Sequence, residues 1–191
     1  MVSERVRHVI LDRDGVLNEE APNRGYVRSP REWRWIPGAL QGLAMLAAAG
    51  IRVSVATNQS GVGRGVMTNS DLEAVHAHMR EAVVSAGGAI NAVFVCPHAP
   101  TDGCRCRKPL PGLIEAAIMS SGIAPAATLL VGDDVRDLDA ARAAGIESVL
   151  VLTGKGRQAA AKLTAGQYQV YDDLKAVALW LIDAAGRTGD K

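Results

Sequence analysis

"VILDRDGVLN", residues Val9 to Asn18, runs an apolar stretch straight into two aspartates flanking an arginine, with a glycine behind them. A carboxylate beside a hydrophobic core loses solvation, so Asp12 and Asp14 need a cation, a hydrogen-bond network or a proton to offset the cost. A lone D-x-D decides little, because two acids leaving a strand can simply solvate a loop. The partners have to come from elsewhere in the chain.

Working outward, short β-rich runs alternate with Ala-rich helical runs. Strands are expected near 6–11, 51–57, 92–96, 128–131 and 148–152, and helices near 38–49, 70–86, 111–121 and 135–144. After Thr153 come a Gly-Lys-Gly loop, a short helix, a weak strand near 168–170 and an amphipathic helix from Asp172. Continuous apolar strands separated by helices imply an α/β fold, a Rossmann-like parallel sheet with helices on both faces. No repeat or interdomain linker interrupts 1–191, which reads as one domain with a frayed tail over about 186–191. Residues 18–35 are long for a βα connection and do not fit a helix, so they are expected to form an extended flap. There Trp33 and Trp35 alternate with Arg34 and would share one side, packed against the domain.

At 191 residues and 48% hydrophobic, such a chain buries about 70% of its unfolded surface and needs no disulfide staples. Lys and Arg number 21 against 20 Asp and Glu, which leaves no bulk field for nucleic acid or an anionic membrane. Recognition of any phosphate is therefore local. The N-terminus lacks the longer apolar segment of a secretory signal, and no stretch reaches the ~20 apolar residues of a membrane span. The expectation is a cytoplasmic protein, monomeric, with a small-molecule partner.

In a parallel sheet the ligand site lies beyond the carboxyl ends of the strands. There the pattern gathers Asp12 and Asp14 from the first strand, Thr57, Asn58, Gln59 and Ser60 from the second, and Asp133 and Asp134 from the fourth. Arg107 and Lys108 precede the intervening helix. Acids on two strand ends supply the hard oxygen ligands that Mg²⁺ takes beside phosphate. Lys108 adds a mobile positive charge, and Thr57 and Asn58 add neutral donors, a set suited to phosphoryl transfer. Asp12 can attack phosphorus to form an aspartyl-phosphate. Asp14 can then protonate the leaving alkoxide and deprotonate water, a task that calls for a pKa above that of Asp12.

These residues also resemble a known family. D-x-D-G-V, T-N, K-P and G-D-D-x-x-x-D, in that order over residues 8–157, are similar to the four motifs of the haloacid dehalogenase superfamily. The resemblance implies a capless fold of that type, with Mg²⁺ bound by the Asp12 carboxylate, the Asp14 main-chain carbonyl and Asp133. Asp134 and Asp137 would either support that metal shell or be solvated acids at a helix N-terminus.

"CPHAPTDGCRCRKP" sets Cys96, His98, Cys104 and Cys106 in a C-x-H-x₅-C-x-C pattern, the four ligands that tetrahedral Zn²⁺ requires. A closed shell leaves no position for substrate, so zinc in the loop 96–107 would be structural and would brace Arg107 and Lys108. His76 and His78 lack such partners and read as surface or packing residues.

A zinc loop narrows the resemblance to two phosphatase groups of the superfamily, one acting on heptose bisphosphates and one on histidinol phosphate. "DRDGVLN", "GYV", "TNQSGVGRG", "CRKPLPG" and "TGKG" are more similar to the heptose group, whereas the short x₅ spacing is also usual in the histidinol group. Asp134 stands where the heptose group often has a lysine. Arg64, Arg107, Lys155 and Arg157 are the cations available for a second phosphate, with Arg107 favoured for its bidentate fork. A phospho-receiver module also clusters acids and a lysine at strand ends, but Asp14 and the zinc loop argue against it.

Overall fold

The computed structural model describes residues 6–21, 25–164 and 166–186. The expected tail beyond 186 lies outside the described residues. Six strands form one wholly parallel sheet in the order β3-β2-β1-β4-β5-β6. They are β1 (His8–Leu11), β2 (Arg52–Asn58), β3 (Ala92–Cys96), β4 (Thr128–Gly132), β5 (Glu147–Val151) and β6 (Gln169–Tyr171). The helices between them are α1 (Ala39–Ala48), α2 (Asn69–Ser85), α3 (Gly112–Ser121), α4 (Val135–Ala143), α5 (Gly156–Ala160) and α6 (Leu174–Gly186).

Alternation along β1 divides the core between the two faces. Val9 and Leu11 join Leu43 and Leu46 of α1, Val75 and Met79 of α2, and Val177 and Leu181 of α6. Ile10 points the other way, into Leu113 and Ile114 of α3 and Ala140 and Ala141 of α4. Every residue of β1 and β4 is buried, which is why these strands read as unbroken apolar runs rather than alternating ones.

Strand order reverses on either side of β1, which pairs with both β2 and β4. The crevice at such a switch point opens at the carboxyl ends of the two central strands. Asp12 follows β1 there, its N–H donating to Val131 O at 3.0 Å, and Asp133 follows β4.

The segment after β1 is tied down by bridges pairing Asn18 with Asp14 and Trp35. Trp33 is 4% exposed and meets Trp35 edge-to-face with centroids 5.0 Å apart, so the two indoles do pack together against the core. One turn of 3₁₀ helix, Pro30–Glu32, interrupts a stretch expected to be free of helix; the fixed φ of proline at the first helical position favours it. No cap-sized domain is inserted among the described residues, and none of their helices is long and apolar enough to cross a membrane.

Candidate active site

An open cleft of about 210 Å³ lies over the carboxyl edge of the sheet. Asp12, Asp14 and Asp133 line it together with Lys108 and Arg107, and the β2 terminus contributes Thr57, Asn58, Gln59 and Ser60. Of the expected site residues, Arg64, Asp134 and Arg157 do not line the cleft; Arg64 and Arg157 are exposed.

Asp12 and Lys108 form the floor. Lys108 Nζ is 3.0 Å from Asp12 Oδ1 and 2.6 Å from Asp137 Oδ1, with the lysine 2% exposed. Burial works against the ammonium, but the two carboxylates outweigh it and hold the Lys108 pKa above its ordinary value. The other oxygen of Asp137 accepts the Asp134 N–H at 3.1 Å in a capping box that opens α4. Asp137 is therefore no solvated acid: 1% exposed, it anchors Lys108. Asp134 instead caps α4 and pairs with Arg136, whose Nη2 lies 2.8 Å from Asp134 Oδ2.

Asn58 has a different job from the donor role expected of it. Its amide donates to Lys108 O and accepts from Lys108 N–H, both at 3.1 Å, so it fastens the lysine's backbone to the end of β2. The Lys108–Pro109 peptide beside it is cis. Gln59 is likewise engaged, donating from Nε2 to Asp14 Oδ2 at 2.7 Å and to Thr57 Oγ1 at 2.8 Å.

Asp14 is held on both oxygens. Arg13 Nη2 donates to them at 2.9 and 3.0 Å, Asn18 Nδ2 donates to Oδ1 at 2.9 Å, and Gln59 reaches Oδ2. Burial pushes this carboxyl up, yet the Arg13 charge and these hydrogen bonds win and hold it below the usual carboxylate range. At Asp12 burial dominates over the pull of Lys108, and with Asp137 and Asp14 nearby its pKa rises to about 7. The order is the reverse of the one expected from the sequence. The physical reason is Arg13, which serves Asp14 with its side chain and Asp12 only with a backbone N–H at 2.7 Å.

Asp133 rises further, to about 8, through burial and then the charges of Asp12 and Asp137. Oxygens of Asp12, Asp133 and Asp137 all lie within 4.8 Å of one another. Three acids against one lysine is a donor set that a hard divalent cation would neutralise. With both oxygens of Asp137 engaged, Asp12 and Asp133 are the carboxylates free to hold it. Glycines make the room: a Cβ on Gly15, at φ +92°, would fall 1.9 Å from Asp133 Oδ2, and one on Gly154 would fall 2.1 Å from the same atom.

The zinc-type cluster also assembles. Cys96 Sγ lies 3.6 Å from Cys104 Sγ and 3.7 Å from His98 Nδ1, which is 3.3 Å from Cys106 Sγ. A tetrahedral ion with Zn–S bonds of about 2.3 Å spaces its ligand atoms by roughly 3.7 Å, so the four fit a zinc ion. Burial pushes the Cys96 thiol up to about 12, while at Cys104 hydrogen bonds from the Arg107 backbone and from the Cys106 and Cys96 side chains outweigh burial and bring the thiol to about 7.

Several contributors escaped the sequence reading. Arg136 and Glu20 line the cleft, Glu20 pairing with Lys155 Nζ across it. Tyr26, within the quoted "GYV", lines it too and bonds Ser60 Oγ at 3.1 Å. For Arg136 the available signal was its place in the first turn of the helix that opens directly after Asp133-Asp134.

Residues 105–177 match the family model described as HAD-hydrolase-like. The D-glycero-beta-D-manno-heptose-1,7-bisphosphate 7-phosphatase of Bordetella bronchiseptica is 45% identical over 179 residues, covering 93% of this chain and 98% of that protein. The D-glycero-alpha-D-manno-heptose-1,7-bisphosphate 7-phosphatase of Mycobacterium tuberculosis is 39% identical over 145 residues, 74% of this chain and 76% of that one. A crystal structure of the D,D-heptose 1,7-bisphosphate phosphatase from B. bronchiseptica, complexed with magnesium and phosphate, aligns with a TM-score of 0.88 at 44% identity over 94% of this chain and 99% of that one. Sheet order, acid placement and these matches together define a phosphatase core of the haloacid dehalogenase type. Within that class the chain belongs to the family of D-glycero-D-manno-heptose-1,7-bisphosphate 7-phosphatases.

Proposed function

We propose that this protein hydrolyses the C7 phosphate of D-glycero-D-manno-heptose 1,7-bisphosphate, with the β anomer preferred, through an aspartyl-phosphate on Asp12. The observation that carries the reading is Asp12 itself. It is a cleft-facing carboxylate 3.0 Å from Lys108 Nζ, two residues before a second acid, in a chain 45% identical over nearly its whole length to a β-anomer phosphatase.

Mg²⁺, held by the Asp12 and Asp133 carboxylates and the Asp14 carbonyl, would supply positive charge for the phosphoryl oxygens. Asp12 attacks phosphorus as the bond to the sugar oxygen breaks, and Lys108 takes up charge that moves onto the phosphoryl group. Asp14 gives its proton to that oxygen, then accepts one from the water that releases phosphate and restores Asp12. Its resting clamp makes Asp14 a ready base for the second step. For the first, one of its oxygens must take up a proton while the other keeps its bond to Arg13 Nη2. Cys96, His98, Cys104 and Cys106 would hold Zn²⁺, which would take no part in bond breaking and would fix the loop that carries Arg107 and Lys108.

Phosphate release in Mg²⁺ should be compared for both heptose bisphosphate anomers and histidinol phosphate. The β anomer should have the highest kcat/KM, and Asp12→Asn should abolish turnover. A preference for histidinol phosphate would overturn the substrate; turnover by Asp12→Asn, with the asparagine verified intact, would overturn the mechanism.

A further inference from the structure

Arg13 is the largest of the fully buried side chains among the described residues, 1% exposed; it lines the base of the cleft and grips Asp14 there. A buried guanidinium is costly unless its donors and charge are satisfied. Nη2 spans both oxygens of Asp14, the ring of Trp33 lies 5.7 Å from the guanidinium carbon, and Nη1 is 3.1 Å from Nε2 of His76 on α2. His76 is itself 1% exposed. A guanidinium can only donate, so Nε2 of His76 accepts and the imidazole is neutral with its proton on Nδ1. The line His76–Arg13–Asp14 runs from the core to the cleft.

We infer that His76, acting through Arg13, is a positioning residue for proton transfer by Asp14. The inference rests on the proposed acid/base role of Asp14 and extends it to a helix that does not touch the cleft. Arg13 Nε already lacks a partner, so without an acceptor at His76 Nη1 becomes a second unpaired donor in the core, and the added cost favours a shift of the guanidinium toward another partner. Any shift moves the group that sets where the Asp14 carboxyl sits relative to the leaving oxygen. Proton transfer tolerates such displacement poorly, and a misplacement of about 1 Å can cost on the order of 10²-fold in rate.

Leaving-group dependence separates positioning from mere support. A nitrophenolate leaves without a proton, whereas a sugar alkoxide needs one. First-turnover release of the alcohol should be measured for p-nitrophenyl phosphate, phenyl phosphate and the heptose bisphosphate, in wild type, Asp14→Asn, His76→Met and His76→Gln. Asp14→Asn should lose steeply more on the sugar phosphate than on the nitrophenyl ester. His76→Met should follow the same trend with roughly 10- to 100-fold loss on the sugar phosphate and little on the nitrophenyl ester. His76→Gln, whose amide oxygen can replace Nε2 as acceptor, should recover most of it.

Equal loss of His76→Met on all three esters, or no loss on any, overturns the inference while leaving Asp14 in its role. Equal losses for Asp14→Asn overturn the underlying reading instead. If His76→Met does not fold, Arg13→Lys takes its place. It keeps the charge but cannot both grip Asp14 and reach His76, so it should show the same leaving-group trend, and a uniform loss there overturns the inference.

Discussion

The side-chain amide of Asn58 exchanges two hydrogen bonds with the backbone of Lys108, donating to its carbonyl and accepting from its N–H, each at 3.1 Å. Lys108 arrives from a loop, and loops aim side chains less firmly than strands do. The exchange transfers the rigidity of β2 to the lysine that faces Asp12. Asn58→Ala removes both bonds and leaves two backbone groups near the cleft without these partners. We expect kcat to fall by roughly 10- to 100-fold with a smaller change in KM, because Lys108 acts on charge that moves during the reaction. Steady-state kinetics on the heptose bisphosphate check this; a pure KM effect would show that Asn58 binds substrate directly.

Asp12 and Asp133, at about 7 and about 8 against an ordinary 3.8, make metal binding and stability depend on pH in a defined direction. In Mg²⁺-free protein that retains its zinc, the folded state keeps protons on these acids that the unfolded chain has released. Their contribution therefore favours the fold at low pH and is lost as pH rises through about 7 and 8. Mg²⁺ competes with the same protons. The rise in Tm on adding saturating Mg²⁺ should grow from about pH 6 to about pH 8.5 and be small throughout in Asp133→Asn. A rise that does not change with pH would mean that these carboxylates are not the ligands.

The strand-end acids, Lys108 and the zinc-type spacing were legible because each is a local pattern placed by topology: a parallel sheet collects its strand ends at one edge. Pairings between segments distant in sequence were not. Nothing near Asn58 announces that both ends of its amide are used by Lys108, and nothing near Asp137 says that it holds the lysine rather than water. His76 read as a surface or packing residue, and its burial excludes the first, but its bond to Arg13 joins residues 63 positions apart. The pKa order of Asp12 and Asp14 failed for the same reason, since it depends on where Arg13, Asn18 and Gln59 aim their donors. The β6 strand was read one residue early, at a sheet edge where only Tyr171 is partly buried and the apolar signal is weak.

Zinc should be found at about one per chain in protein purified without chelators. Structural zinc contributes roughly 10–16 kcal/mol of apparent binding energy at neutral pH in zinc-finger peptides, comparable to the 5–15 kcal/mol net stability of a whole domain. Cys106→Ser removes one thiolate and should lower zinc content and Tm together. Activity should fall as well, because Arg107 and Lys108 directly follow the lost ligand. Full activity and an unchanged Tm in zinc-free protein would contradict a structural role.

Arg107 tests how the second phosphate is held. It lines the cleft and, with Arg136, a second pocket of about 510 Å³ that opens beside it against Leu110 and Pro109. Among the described residues its guanidinium makes only a long 3.5 Å bond to His98 O, so it is available to an incoming anion. With no inserted cap among the described residues, contacts remote from the reacting phosphate have to come from side chains at this rim, and holding a distant dianion helps by orienting the group that reacts. Arg107→Ala deletes a charge-assisted fork, and kcat/KM for the bisphosphate should fall by the equivalent of roughly 1.5–3 kcal/mol. A sugar monophosphate lacking the second phosphate should lose much less. Measuring both substrates with both proteins isolates the interaction. An equal loss on each would assign Arg107 to the reacting phosphate and leave the second one to Arg136 or Lys155, which also line the cleft.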